Sequence, residues 1–201
     1  METRHMTQYV RNILKVYRNA TRSDIVDGIE WYDRANREAH YISEMTDTPV
    51  STVVGVMAAI SPNNRWERNK MDAFRMCATF ASGDGMDTFK VSCYNKMKEK
   101  GWSILEDKLT DDQEILTRLN GQKIRSFYSN IIGLDEVTID GHAYNIAINK
   151  RQTLTSNDTN IGVKMYRELQ DAYVRAAKRV GVKPHVLQAI TWTAWKRIHN
   201  I

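Results

Sequence analysis

Apolar positions recur every three to four residues through most of the chain, the spacing that aligns side chains on one face of an α-helix. Val10, Ile13, Leu14 and Tyr17 predict a helix over 7–18 with Thr7 as its cap. Ser23 is placed to cap a longer helix whose face carries Ile25, Ile29, Tyr32, Ala39 and Ile42. Thr48-Pro49 opens the next, since proline suits a helix's first turn. Val50, Val53, Val54, Met57, Ala58 and Ile60 make that run apolar nearly all round, the signature of a central buried helix. Its valines leave a strand open over the same residues. Trp66, Phe74, Cys77 and Phe80 define a further face that stops at the breaker Gly83-Asp84-Gly85.

The second half reads the same way. Phe89, Val91, Tyr94 and Met97 suggest a helix within 86–105, with Lys96, Lys98 and Lys100 on its solvated side. Asp111 or Asp112 can cap a helix of 112–119, where negative charge suits the N-terminus. Ile124, Phe127, Tyr128 and Ile131 give the face of a helix over 123–132, and Asp140 opens another over 141–149. Residues 151–160 read as a polar loop in which Asp158 or Asn160 caps the helix bearing Val163, Tyr166, Leu169, Tyr173, Ala176 and Ala177. Gly181 ends that helix, and Lys183-Pro184 starts the last, which Val186, Leu187, Ile190, Trp192, Ala194 and Trp195 make largely buried. The coarse total is about nine helices with no strand alternation, hence an all-α fold.

Composition narrows the function classes. At 201 residues the chain has room for one or two domains. A formal charge of +5 favours a polyanionic partner and sets the acidic patch Glu106, Asp107, Asp111, Asp112 and Glu114 away from any DNA-binding face. Cys77 and Cys93 are the only cysteines, too few for a disulfide framework or a four-thiolate cluster, and the five histidines show no ligand pairing. No metal and no cofactor are expected. The stretch Met1-Glu2-Thr3-Arg4-His5 has no apolar leader, and no apolar run is of membrane-spanning length, so the expected setting is a reducing cytoplasm without membrane attachment.

Two polar stretches carry candidate chemistry. Ser61-Pro62-Asn63-Asn64-Arg65-Trp66-Glu67-Arg68-Asn69 follows the buried helix directly, and its plain reading is a turn in which Pro62 stops one helix and Asn64 starts the next. Residues 119–147 place Lys123 just after an Asn120-Gly121 turn, at the start of one helix, and Asp140 at the start of the following one. A lysine that attacks carbon needs a nearby base or charge stabiliser, and this stretch supplies a carboxylate to match. The exposed N–H groups at a helix start also suit phosphate.

Gly121-Gln122-Lys123 opening a helix, followed a helix and a loop later by Thr138-Ile139-Asp140-Gly141-His142, resembles the helix-hairpin-helix DNA glycosylase superfamily of endonuclease III. The family's hairpin reads Leu-Pro-Gly-x-Gly-x-Lys, whereas Leu119-Asn120-Gly121-Gln122-Lys123 is two residues shorter and keeps one glycine. The resemblance implies a two-lobed helical fold with DNA across the cleft, the lobes running over 1–48 with 150–201 and over 49–149. It implies Lys123 and Asp140 as catalytic residues. It further implies Ser61, Asn63, Asn64, Trp66, Asn69 and His142 as base-binding or wedge residues. Asn120, Gly121, Gln122, Arg125, Lys196 and Arg197 would contact the DNA backbone. Double-stranded DNA is the implied partner and a monomer the implied state.

Three functions fit this reading. The first is excision of a damaged or modified base, with or without Lys-dependent strand cleavage at the abasic site. In the second, the short hairpin, the Ser61–Asn64 loop and Thr191-Trp192-Thr193-Ala194-Trp195-Lys196-Arg197 are similar to compact phage-encoded relatives that join an amine or amino acid to an activated hydroxymethyl-pyrimidine. In the third, the fold is kept as a non-enzymatic DNA-binding module.

Overall fold

The computed structural model describes residues 4–153 and 161–201. Ten α-helices and one 3-10 turn make up the described secondary structure, with no strand among the described residues. The helices are α1 (Arg4–Arg18), α2 (Arg22–Thr46), α3 (Val50–Ala59), α4 (Trp66–Ala81), α5 (Asn95–Glu106), α6 (Asp112–Leu119), α7 (Gln122–Ile131), α8 (Gly141–Ile148), α9 (Val163–Val180) and α10 (Pro184–His199).

The residues separate into two compact units, 1–32 with 134–201, and 33–133. The boundaries read from sequence, 49–149 for the middle lobe, therefore shift. Val137, Ile139, Ala143, Ile146 and Ala147 share one apolar core with Val10 and Ile13 of α1, Leu169 and Tyr173 of α9 and Leu187 of α10. That shared burial draws residues 134–149 into the first unit, so Lys123 and Asp140 belong to different units. At the other boundary, α2 gives its residues through Tyr32 to the first unit and those from Asp33 to the second.

In the first unit α1 packs on α8, α9 and α10, and α10 touches α8 and α9 as well. The entry to α2 is a reciprocal cap. The Thr21 N–H donates to Asp24 Oδ2 at 2.7 Å, and the Asp24 N–H donates to Thr21 Oγ1 at 3.2 Å. Both donors are helix-start groups with no partner inside the helix, which is why a Thr and an acid three residues apart suffice. Thr21, not Ser23, is thus the cap. Likewise Thr7 lies inside α1, which is already helical at Arg4. The buried stripe of α2 runs Asp24, Gly28, Tyr32, Ala35, Ala39, Ile42 and Thr46, whereas Ile29 is 51% exposed. Gly28 takes the inward place because a Cβ there would stand 2.5 Å from the Ile190 Cα.

Asp24 also binds α10, accepting from Arg197 Nε at 2.9 Å. Burial by itself would raise this carboxyl, but the Thr21 backbone bond and the Arg197 guanidinium outweigh burial and hold it below the ordinary carboxylate range. A carboxyl depressed in the folded state stabilises above the unfolded pKa, about 4, and that stability is lost as pH falls through the lower folded value. Melting temperatures measured from pH 7 to pH 2 are expected to fall more steeply for the native chain than for Asp24→Asn. Equal slopes would show that this carboxylate is not linked to folding.

In the second unit α3 lies at the centre, touching α4, α5, α6 and α7. Thr52 through Ala59 are all buried, as a helix apolar on every side requires, and the strand alternative is set aside. Elsewhere the side chains depart from the periodic reading. Phe74 is 36% exposed, and α4 buries Asn69, Asp72, Ala73, Met76 and Cys77 instead. Phe89 is extended rather than helical, since α5 begins only at Asn95. Lys98 and Lys100 are drawn inward: the Lys98 amine donates to the Phe89 carbonyl and the Lys100 amine to the Leu119 carbonyl. Burial, with Lys96 nearby, lowers the Lys100 pKa. Asp111 caps α6, accepting from the N–H groups of Gln113 and Glu114 at 2.9 and 3.1 Å. The cap of α9 is Gly162, and Asp158 and Asn160 lie outside the described residues.

Candidate functional site

The α6–α7 hairpin is made by two residues. Asn120 takes the left-handed conformation (φ 45°) that ends α6, a position asparagine tolerates, and Gly121 is extended before α7. Lys123 is the second residue of α7 and half-buried, Gln122 likewise, while Arg125 and Asn120 are exposed. Two contacts fix the hairpin from inside. Tyr128 donates to Asp112 Oδ1 at 2.6 Å, and the Lys100 amine caps the Leu119 carbonyl at the end of α6. Edge-on at 6.4 Å between centroids, Trp66 meets Phe127, one turn beyond Lys123. Trp66 and the lysine-bearing helix are therefore brought together within the unit.

The Ser61–Asn69 stretch is largely committed to the fold. Ser61 Oγ donates to the Ala58 carbonyl at 2.9 Å, which finishes α3. Asn63 is left-handed (φ 53°) and donates to the Tyr94 hydroxyl at 2.7 Å. Asn64 does not start α4, whose cap is Arg65; its Nδ2 donates to Asp72 Oδ2 at 3.2 Å, and Asp72 also accepts from the Ser92 N–H at 2.8 Å. Asn69, 1% exposed, donates to the Met57 carbonyl at 3.0 Å. The side-chain oxygens of Asn64 and Asn69 are sealed without a partner. Of the loop, Asn63 and Arg65 are the exposed residues.

In the first unit Asp140 caps α8, its Oδ1 accepting from the Ala143 N–H at 2.8 Å. The run Val137-Thr138-Ile139 before it is buried and bonded to α9: the Ile139 N–H donates to the Tyr166 hydroxyl at 3.1 Å, and Gln170 donates to the Val137 carbonyl at 2.9 Å. Tyr32 and Tyr173 feel the Asp140 charge. Burial first, with that charge adding to it, pushes both phenols above the ordinary tyrosine range and keeps them protonated.

The same unit gathers aromatic and polar side chains on Trp192. The Trp192 ring lies 6.2 Å from His142 and 6.0 Å from Trp31, edge-on in both pairs, and the Lys196 amine is 4.2 Å from its centroid. His142 and Lys196, distant in sequence, thus meet on one tryptophan. Arg197 is turned to the fold instead, bonded to Asp24 and to the Asn19 carbonyl at 2.7 Å. Sequence reasoning missed a His–Asp pair here. His185 Nδ1 lies 2.8 Å from Asp135 Oδ1, with the Tyr32 ring 5.8 Å from the imidazole. Fifty residues separate the pair, so no local spacing signals it.

Both cysteines are poor nucleophiles, burial pushing Cys77 up to about 12 and Cys93 up to about 11. No group of three or more His, Cys, Asp or Glu among the described residues is arranged to hold a metal ion. No described helix is long and apolar enough to cross a membrane. No curated protein and no solved structure matches the chain. A family model matches residues 1–199, and the chain accordingly belongs to DUF7178, a family of unknown function.

Proposed function

We propose that the chain is a DNA-acting enzyme of the glycosylase type that releases a base from an extruded nucleotide. The observation that carries this reading is the state of Asp140. One carboxylate oxygen is fixed by the α8 cap, while the other takes no hydrogen bond among the described residues. A carboxylate held this way cannot swing, and it keeps one oxygen for a water or for the positive charge that develops on the sugar as the base leaves. Lys123, at the start of α7, supplies the amine that the resemblance assigns to attack at C1′. The basic balance of the chain, +5, suits a DNA partner. Extrusion costs a few kcal/mol, which contacts to the unstacked base must offset.

In this mechanism the Lys123 amine displaces the base and forms a Schiff base with the opened sugar, which then cleaves the strand by β-elimination. Borohydride trapping tests it on duplexes bearing abasic, uracil or hydroxymethyluracil sites, with Lys123→Ala beside the native chain. The expected result is a covalent adduct that vanishes in the variant. Nucleoside masses from the same reactions report on the base: a missing base supports excision. A base of increased mass would overturn excision and put the chemistry at an exocyclic carbon.

A further inference from the structure

One strip of α10 is not absorbed by the core. His185, Gln188, Trp192 and Lys196 follow at intervals of three and four and so share a face. Leu187, Ile190, Thr191, Ala194 and Trp195 fill the core beside them. His185, Trp192 and Lys196 are half-buried, but Gln188 is only 5% exposed.

A buried carboxamide has an acceptor and two donors to satisfy. The Gln188 oxygen accepts from the Tyr32 hydroxyl at 3.0 Å. Its NH2 donates to no group among the described residues, yet it is not sealed as the side-chain oxygens of Asn64 and Asn69 are. The donors therefore open onto the small part of Gln188 that is exposed. A donor presented from a side chain that is otherwise enclosed is costly to leave unused, which is the property of a recognition group awaiting an acceptor.

The orientation of this amide follows from its neighbours. The Tyr32 hydroxyl is the donor to Gln188, at 3.0 Å. Only the carboxamide oxygen can accept its proton, and the NH2 must point the other way. Burial holds Tyr32 in the protonated form this bond needs. One turn along, the half-exposed Trp192 offers an apolar ring, with the Lys196 charge 4.2 Å from its centroid.

We propose that Gln188 is a specificity residue whose NH2 donates to O4 of an extruded pyrimidine or O6 of an extruded purine, beside Trp192. Thymine, uracil and guanine types present an oxygen where cytosine and adenine present an amine, and an amine would meet the Gln188 NH2 donor against donor. The enzyme thus selects oxo bases over amino bases. This rests on the reading that the chain acts on an extruded base.

The test is equilibrium binding of the full chain to duplexes with one mispaired site, carrying thymine, hydroxymethyluracil or guanine against cytosine or adenine. The native chain is expected to favour the oxo set by about tenfold or more, the worth of a hydrogen bond gained in one case and opposed in the other. Gln188→Glu, which replaces the donors with acceptors, abolishes or inverts the preference. Tyr32→Phe keeps the packing but frees the amide to turn, and brings the two sets to within about threefold. Each preference is read relative to the same variant's binding of an abasic duplex, so that a general loss of affinity, which is all a merely structural role for Gln188 would give, cancels. A preference that survives both substitutions overturns the proposal and leaves base extrusion standing. A native chain that does not bind duplex DNA overturns both.

Discussion

Asp140→Asn is expected to lower base release by about 10²–10⁴-fold, the range for loss of a positioned acid–base group, with melting temperature and DNA affinity nearly unchanged. The argument depends on a separation that this position allows. Asparagine caps a helix about as well as aspartate does, so the Ala143 N–H keeps an acceptor and α8 keeps its start. What disappears is the carboxylate. Asp140→Ala removes both functions and is expected to cost about 1 kcal/mol of stability in addition. Single-turnover assays on a mispaired or modified site, beside thermal melts of both variants, read the two effects independently. Full activity in the asparagine variant would end the excision mechanism, whatever the alanine variant does.

The second large effect concerns packing. Within a helix, Gly→Ala ordinarily gains up to about 1 kcal/mol from the lower backbone freedom of alanine. At Gly28 the sign reverses. The added methyl would stand 2.5 Å from the Cα, the backbone nitrogen and the Cγ1 of Ile190, and two of these are main-chain atoms that cannot rotate away. Overpacking of this kind costs about 3 kcal/mol. At roughly 2–4 °C per kcal/mol for a chain of this size, the melting temperature is expected to drop by about 6–12 °C. Ile29→Ala, one residue away and on the exposed face, serves as the control and should stay within about 0.5 kcal/mol. A Gly28→Ala protein melting at or above the native temperature would mean that α2 and α10 do not approach this closely.

These two residues also show what the sequence discloses. Asp140 was legible because capping is local: an acid three residues before a free N–H, ahead of an apolar run, specifies its own geometry. The same holds for Asp111, for the Asn120-Gly121 turn and for α3, whose valines and alanines leave no polar side to expose. Gly28 was not legible, because the partner that demands a glycine lies 162 residues away on α10. Ile29 looked like the inward residue only because it is the larger hydrophobe. Lys98 and Lys100 were read as solvated for the same reason: charge is a guide to exposure until a carbonyl such as that of Phe89 or Leu119 claims the amine. The Asn64–Asp72 and His185–Asp135 pairs follow suit, since each joins residues that only the folded chain places together. Residues held by helix starts were therefore visible beforehand, and those held by tertiary hydrogen bonds were not.

The division of the chain into 33–133 and the two segments around it has a consequence in time. Every contact inside the second unit is made by one continuous stretch, which can complete its core while later residues are still being joined. The first unit cannot. α1 packs on α8, α9 and α10, and 144 residues lie between Arg18 and Val163. At typical synthesis rates that interval lasts roughly 7–30 s. Throughout it, Val10, Ile13 and Leu14 lack the part of their core that α9 and α10 supply, and its closure spans a long stretch of chain. The inserted unit folds early and α1 waits, so a nascent chain is most exposed to misassembly through the apolar face of its first helix.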